Sequence, residues 1–326
     1  MLDMLFFWIG VFIISLFFLV KGADYLIENA ERIGLSWGLS PFVIGVVIIG
    51  IGTSLPELVT SITAVLRGVS EIVVANGVGS NIANILVVLG VTAIFTKNLA
   101  VEKNLIYLDL PILIMGTILF LGVALGREVL DSGLSAFVIN KGEAIFLITV
   151  YIVYLGYSFL HQDNDYVKKL RERVQSSDVN IYNYLLLVTG LIGVIIGAKY
   201  VVDATLEISK ILDIGSGVIA LLAIAIGTSL PELFVSFRAA HQGKPEIAVG
   251  NIFGSSMFNM LMLIGIPGLF STLIIDEITY TVGLPTLFAA TLVFVISGIS
   301  NKVHRWDGAM YLMLYILFVA KTLALF

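Results

Sequence analysis

The chain has 326 residues, of which 59% are hydrophobic and only 13% charged, and its formal net charge is -5 at pH 7. A soluble domain of this size needs a charged surface that this composition cannot supply. The charges sit mainly between apolar stretches and mark no nucleic-acid partner, and the absence of cysteine excludes disulfides, thiolate ligands and iron–sulfur chemistry.

Apolar stretches of 18 residues or more recur along the chain, which predicts a polytopic helical membrane protein. The short alternating segments of a β-barrel are absent from the sequence. Ten spans are expected, at roughly 4–24, 41–66, 71–95, 105–125, 143–160, 182–207, 216–239, 245–272, 278–299 and 307–324. The first does not read as a secretory signal: it opens with Asp3, lacks Lys or Arg there, and no clear cleavage site follows.

Between the spans lie several polar groups. Asp24, Glu28 and Glu31 fall near the end of span 1. Segment 126–142, with Arg127, Glu128, Asp131 and Lys141, is too mixed for a span and reads as a loop. Asp109 lies in span 4 and has no acidic equivalent at residue 284. The longest polar stretch, His161–Asn180, reads as a solvated linker between two halves, with a regulatory ion-binding loop as the alternative. In span 6, Lys199, Asp203 and Glu207 are spaced to satisfy one another as a ladder. Glu71 and Glu246 stand at helix starts, where acids are favoured. His161, His241 and His304 all fall near loops, which argues against a soft-metal site in the membrane.

Lysine and arginine orient the spans. Odd-numbered loops hold Arg32, Lys97, Lys103, Lys168, Lys169, Arg171, Arg173, Arg238, Lys244, Lys302 and Arg305. Even-numbered loops hold Arg67, Arg127, Lys141 and Lys210, so the count is 11 against 4. The odd loops are expected in the cytoplasm and both termini outside, in a multi-pass protein of the cell membrane.

One six-residue word occurs twice. Gly52-Thr53-Ser54-Leu55-Pro56-Glu57 returns 175 residues later as Gly227-Thr228-Ser229-Leu230-Pro231-Glu232. Residues 51–90 align with 226–265 without a gap, and 20 of the 40 positions are identical. Identities include Ser61/Ser236, Gly68/Gly243, Asn76/Asn251, Ser80/Ser255 and Asn84/Asn259. The expected fold is therefore all-α, with ten transmembrane helices in two five-helix repeats. Residues 1–160 form the first repeat, 161–181 a cytoplasmic linker, and 182–326 the second. An odd number of spans per unit turns the second copy upside down. Inverted repeats with interrupted helices are an architecture of secondary transporters, whose site lies at the repeat interface.

A carboxylate inside a membrane is costly and usually functional. On a helix, Thr53, Ser54 and Glu57 lie within about one turn and can face one point. Pro56 removes a backbone donor and clashes with the preceding turn, so helices 2 and 7 are expected to be broken near the two words. Ser80 and Asn84 share a face on the next span, as do Ser255 and Asn259. Asn81 and Ser256 could serve helix–helix hydrogen bonding instead. Asn76 and Asn251 could hold broken backbone. Carboxylate, hydroxyl and carbonyl oxygens suit hard cations such as calcium, which accepts 6–8 oxygens at loose geometry. Sodium accepts the same neutral oxygens, and protons compete for the carboxylates. No residue set for an enzyme is recognised. A channel lined by oxygens is a further reading, but duplicated broken helices favour alternating access.

These words, with Gly79–Asn84 and Gly254–Asn259, resemble the two α-repeats of the sodium/calcium exchanger family, in the calcium/cation antiporter superfamily. The resemblance extends over all ten spans and is strongest over 41–90 and 216–265. It implies a ten-helix antiporter that exchanges calcium for sodium, with helices 1 and 6 sliding as gates. It implies no cofactor, and partners limited to the transported ions and membrane lipid. Carried onto this chain, it makes Glu57 and Glu232 the central acidic ligands. Thr53 and Thr228 would give backbone carbonyls, as would Gly50 and Ala225. Ser54, Ser229, Ser80 and Ser255 would complete sodium positions, and Asn84 and Asn259 would stand beside the carboxylates. The family's well-studied microbial members carry Asp where this chain has Asn259. Two formal carboxylates remain, and calcium/proton exchange and potassium-dependent exchange stay open as alternatives.

Overall fold

The structure is a computed structural model that describes residues 2–96, 99–100, 109–126, 128–131, 134–160, 179–211, 227, 229–300 and 302–323. Its helices are α1 (Leu2–Ser36), α2 (Pro41–Thr53), α3 (Leu55–Leu66), α4 (Glu71–Phe95), α5 (Asp109–Ala124) and α6 (Lys141–Leu160). After the linker come α7 (Ile181–Ile211), α8 (Leu230–His241), α9 (Pro245–Gly268), α10 (Thr279–Gly298) and α11 (Arg305–Thr322). Each expected span coincides with described helix, the seventh only in its second half, because 212–226 lie outside the described residues. Six of these helices are long and apolar enough to cross a membrane, and α2 with α3 forms a further, bent candidate.

Local sequence explains the elements of the second span. Ser40 caps α2, its Oγ accepting from the Val43 amide at 3.4 Å, and Pro41 occupies the first turn, where a missing N–H costs nothing. The helix loosens into a π-helical turn over Gly45–Gly50 and breaks at Ser54, whose φ of -88° and ψ of 2° leave the helical region. Beyond Ser54 the chain resumes as α3, bent by 42°. Pro56 in the first turn of α3 accounts for the break. Both α3 and α8 stop in the same way. Gly68 and Gly243 take left-handed φ values of 78° and 75°. The amides of Val69 and Lys244 then reach back to the carbonyls of Ala64 and Ala239, each at 2.9 Å. This is a Schellman stop, which requires glycine at that position.

The second repeat is inverted relative to the first. Helices α1 and α7 run antiparallel and meet through glycines. A Cβ on Gly22 would lie 2.7 Å from the Val194 nitrogen and 2.8 Å from the Gly190 oxygen. A Cβ on Gly197 would lie 2.7 Å from the Leu19 nitrogen and 2.9 Å from the Ser15 oxygen. Shifting each residue by 175 turns one set of contacts into the other. That is the signature of a two-fold axis between the helices.

Helix α9 is the axis of the core, 94% buried over its most apolar window, whereas the corresponding window of α1 is 11% buried. Glycines let α2 lie directly on α9. A Cβ on Gly250 would come within 2.3 Å of the Phe42 oxygen, and one on Gly254 within 2.4 Å of the Val46 oxygen. Close helix approach through small residues is how membrane helices gain packing without a hydrophobic driving force.

Short strands join the two halves outside the bundle. β1 (Leu99–Ala100) pairs antiparallel with β5 (Lys302–Val303). β2 (Glu128–Asp131) and β3 (Leu134–Ile139) form a hairpin, and β3 also pairs with β4 (Leu273–Ile275). Loops 3 and 9 thus share one face and loops 4 and 8 the other, as strict alternation of spans demands.

Three expectations are corrected here. Segment 126–142 holds the β2–β3 hairpin rather than only loop, because its partner strand β4 lies far away in sequence. Helix α1 continues 12 residues past the expected end at 24, to Ser36. Asp24, Glu28 and Glu31 are therefore helical. The Lys199–Asp203–Glu207 ladder gives way to a Glu207–Lys210 ion pair at 2.6 Å, with the Lys199 ammonium 5.6 Å from the centre of the Tyr200 ring. Glu71 and Glu246 do stand in first helical turns.

Candidate cation site at the repeat interface

The bend at Ser54 brings the first word against the described part of the second. Ser229 has φ -92° and ψ 9°, nearly the conformation of Ser54. Thr53, Ser54 and Glu57 are buried together while the intervening Leu55 is exposed, so one helix face carries all three oxygens inward. The hydroxyl of Ser54 donates to Glu232 Oε1 at 3.1 Å. This hydrogen bond joins the halves through their repeated words. The carboxylates of Glu57 and Glu232 lie within electrostatic reach of each other, and they are only 2% and 1% exposed.

Around them the oxygens come from α4 and α9. Ser80, Asn84, Ser255 and Asn259 are all buried. Ser255 Oγ donates to the Gly50 carbonyl at 3.1 Å and lies 3.5 Å from Thr53 Oγ1. The π-helical turn ending at Gly50 and a second one over Asn84–Val88 place irregular backbone beside the site. Ala225 and Thr228 lie outside the described residues.

Many of these groups have no hydrogen-bond partner. Both carboxylate oxygens of Glu57, Oε2 of Glu232, the hydroxyls of Ser80 and Ser229, and the amides of Asn84 and Asn259 are buried and unpaired. A buried polar group normally finds a partner. Here several acceptors are gathered and left free, which is the donor set of a hard cation with 6–8 oxygens. Among the described residues no three His, Cys, Asp or Glu side chains come together. A cation placed here would meet two carboxylates and otherwise neutral oxygens.

The role of Asn76 and Asn251 becomes definite. Asn251 Nδ2 donates to the Glu232 carbonyl at 3.4 Å and to Ser236 Oγ at 2.8 Å. Asn76 Nδ2 donates to the Glu57 carbonyl at 3.3 Å and to Ser61 Oγ at 3.1 Å. Each amide fixes the backbone of the neighbouring glutamate, and Asn251 Oδ1 also accepts from Thr53 Oγ1 at 3.3 Å. The identity of both pairs across the repeat was the available signal in the sequence. By contrast, the Asn81 amide and Ser256 hydroxyl are buried without partners, so the helix–helix hydrogen bonds open to them in the sequence are not made. Groups that orient direct ligands typically contribute 10–100-fold to metal affinity. Asn251→Ala is therefore expected to weaken apparent calcium affinity by about 10-fold while Ser236→Ala changes it less. Equilibrium calcium binding to the purified protein measures both.

Residues 7–160 and 182–323 match the family described as sodium/calcium exchanger protein. The chain is 32% identical to the sodium/calcium exchanger MaX1 of Methanosarcina acetivorans, over 95% of this chain and 96% of that one. It is 30% identical to the inner membrane protein YrbG of Escherichia coli, over 88% of this chain and 87% of that one. The solved structure of a sodium/calcium exchanger from Methanococcus jannaschii superposes with a TM-score of 0.77 at 31% identity, covering 97% of this chain and 98% of that one.

Proposed function

The chain belongs to the sodium/calcium exchanger family, and from that premise we propose that it exchanges calcium for sodium across the membrane by alternating access. It is a transporter and not an enzyme, a multi-pass membrane protein whose ligands are its cargo. The observation that carries the reading is the cluster of buried, unpaired oxygens around Glu57 and Glu232 at the junction of two inverted halves. Two carboxylates neutralise one calcium ion, and the same oxygens serve sodium in its absence. A site that is stable only when filled by either cargo lets the protein switch faces loaded and resists switching empty. That condition produces obligatory exchange.

Glu57 and Glu232 are the central ligands in this reading. Gly50, Thr53, Ser54, Ser80, Asn84, Ala225, Thr228, Ser229, Ser255 and Asn259 complete the cation positions. Ten spans with breaks in helices 2 and 7 carry them, with the halves at 1–160 and 182–326 and a cytoplasmic linker at 161–181. The lysine and arginine bias supports cytoplasmic odd loops and external termini.

Uptake of radiolabelled calcium into proteoliposomes, under separately imposed sodium, potassium and proton gradients, tests the assignment. A sodium gradient is expected to drive uptake. Uptake driven by a pH gradient and indifferent to sodium would replace it with calcium/proton exchange. In the same vesicles, Asn259→Asp adds a third carboxylate and is expected to change the sodium or pH dependence while transport persists. An unchanged coupling ratio and pH profile would mean that Asn259 has no bearing on ion choice.

A further inference from the structure

One end of α1 is bound by charge to α8 and the turn after it, and among the described residues the repeat-equivalent positions on the opposite face form no such tie. Asp24 Oδ1 accepts from Arg238 Nε at 2.9 Å, from Arg238 Nη2 at 2.5 Å and from Gln242 Nε2 at 2.8 Å. Seven residues further along α1, Glu31 Oε2 meets Lys244 Nζ at 2.7 Å. The side chains of all four charged residues are between 21% and 26% exposed. A crevice of about 590 Å³, lined also by Lys21, Glu28 and Arg32, opens beside them. These contacts are neither pairs within one helix nor part of the cation site. They tie α1, little buried along its apolar window, to α8, which carries Glu232 in its first turn, and to the turn that follows α8.

The repeat supplies the control. Moving each residue by 175 positions puts Lys199 where Asp24 stands and Leu206 where Glu31 stands. It puts Thr63, Arg67 and Val69 in place of Arg238, Gln242 and Lys244. Where one face pairs a carboxylate with a guanidinium, the equivalent positions on the other hold an ammonium at 199 and Thr63 and Arg67 on α3, and the Lys199 ammonium lies by the Tyr200 ring instead. The α1–α7 contacts obey the two-fold axis, but the electrostatics around them do not.

We propose that Asp24–Arg238–Gln242 and Glu31–Lys244 form a one-sided latch that favours the exchanger conformation closed on the face of loops 1 and 7. The proposal rests on the antiport reading, because a bias between faces has meaning only in a protein that alternates between them. An antiporter with a symmetric backbone has no intrinsic reason to rest on one side. A charged tie between elements that is present, among the described residues, on one face alone supplies that reason. The apparent affinity for a cargo equals the intrinsic affinity reduced by the fraction of molecules open to that side. The latch therefore weakens apparent calcium affinity on the face of loops 1 and 7 and strengthens it on the other.

The test uses the absence of cysteine. A single Ser300→Cys substitution in loop 9, on the same face as loop 3, allows a membrane-impermeant thiol reagent to report orientation in proteoliposomes. Half-saturating calcium is then measured from each side for the parent, for Arg238→Gln with Lys244→Gln, and for the charge swap Asp24→Arg with Arg238→Asp. The double variant is expected to lower half-saturating calcium about 3- to 10-fold on the loop 1 and 7 face and to raise it on the other. The swap is expected to return both values toward the parent. Salt should shift the parent in the same direction as the double variant, because ions reaching the crevice screen the pairs. An unchanged ratio between the faces, or an equal loss on both, would overturn the latch. Absence of calcium–sodium exchange in the parent would overturn the function itself, which is a separate result.

Discussion

Glu57→Gln and Glu232→Gln are each expected to lower calcium exchange by more than about 100-fold, beyond the range for residues that only orient a ligand. Glutamine keeps the size of the side chain and one carbonyl oxygen but removes the charge. The site has two formal carboxylates, so one substitution leaves a single negative charge against a divalent ion in a water-poor interior. Ser54 offers no compensation, since its hydroxyl donates to Glu232 Oε1 and does not itself carry charge. Fold retention is checked by gel filtration in detergent and by thermal unfolding. Removing one of two mutually repelling buried carboxylates should leave stability unchanged or raise it. Calcium exchange near the parental rate in both variants, with the fold intact, would remove these glutamates from the site.

The second large effect is expected at a residue that carries no side chain. Gly254 has no room for a side chain: even a Cβ would sit 2.4 Å from the Val46 oxygen and 2.6 Å from the Val46 Cα. Those atoms are backbone, so no rotamer change relieves the clash. Gly254→Val must push α2 away from α9, at a cost at or above the usual 1–3 kcal/mol of an overpacked core. The displacement passes directly to the site, because Gly50 accepts from Ser255 and Thr53 lies beside both Ser255 and Asn251. The expected outcome is a loss of most folded protein in detergent and of transport in what remains. Gly79→Ala is the matched comparison, since nothing lies within 4 Å of its Cβ position among the described residues. Equal folding yields for the two variants would show that the α2–α9 contact is looser than the structure makes it.

The duplicated words were legible in the sequence, and with them the inverted halves. A gapless 20-identity match over 40 positions leaves little freedom in how two units can relate. The alternation of loops was legible too, and both small sheets agree with it. Other features were hidden for reasons that differ. Hydropathy detects where apolar residues stop, not where helix stops, so the polar third of α1 was missed. The β2–β3–β4 sheet depends on two loops meeting, and neither loop alone has a strong strand pattern. Asp24 and Arg238 are 214 residues apart, and no local spacing connects them. Asn76 and Asn251 stood out as repeated residues, but only the folded turn shows that they grip the glutamate backbone.

The glycine contacts between α1 and α7 have a consequence for how such a molecule could be assembled. Contacts that exchange under their own two-fold axis are contacts that two identical polypeptides can make, provided that they insert in opposite orientations. Separate identical subunits would, however, be compelled to present the same side chains on both sides of the bilayer. Joining the halves in one polypeptide removes that compulsion. Position 24 can then be aspartate while its mirror, position 199, is lysine. Covalent linkage thus permits a molecule with a symmetric framework to tell the inside of a cell from the outside.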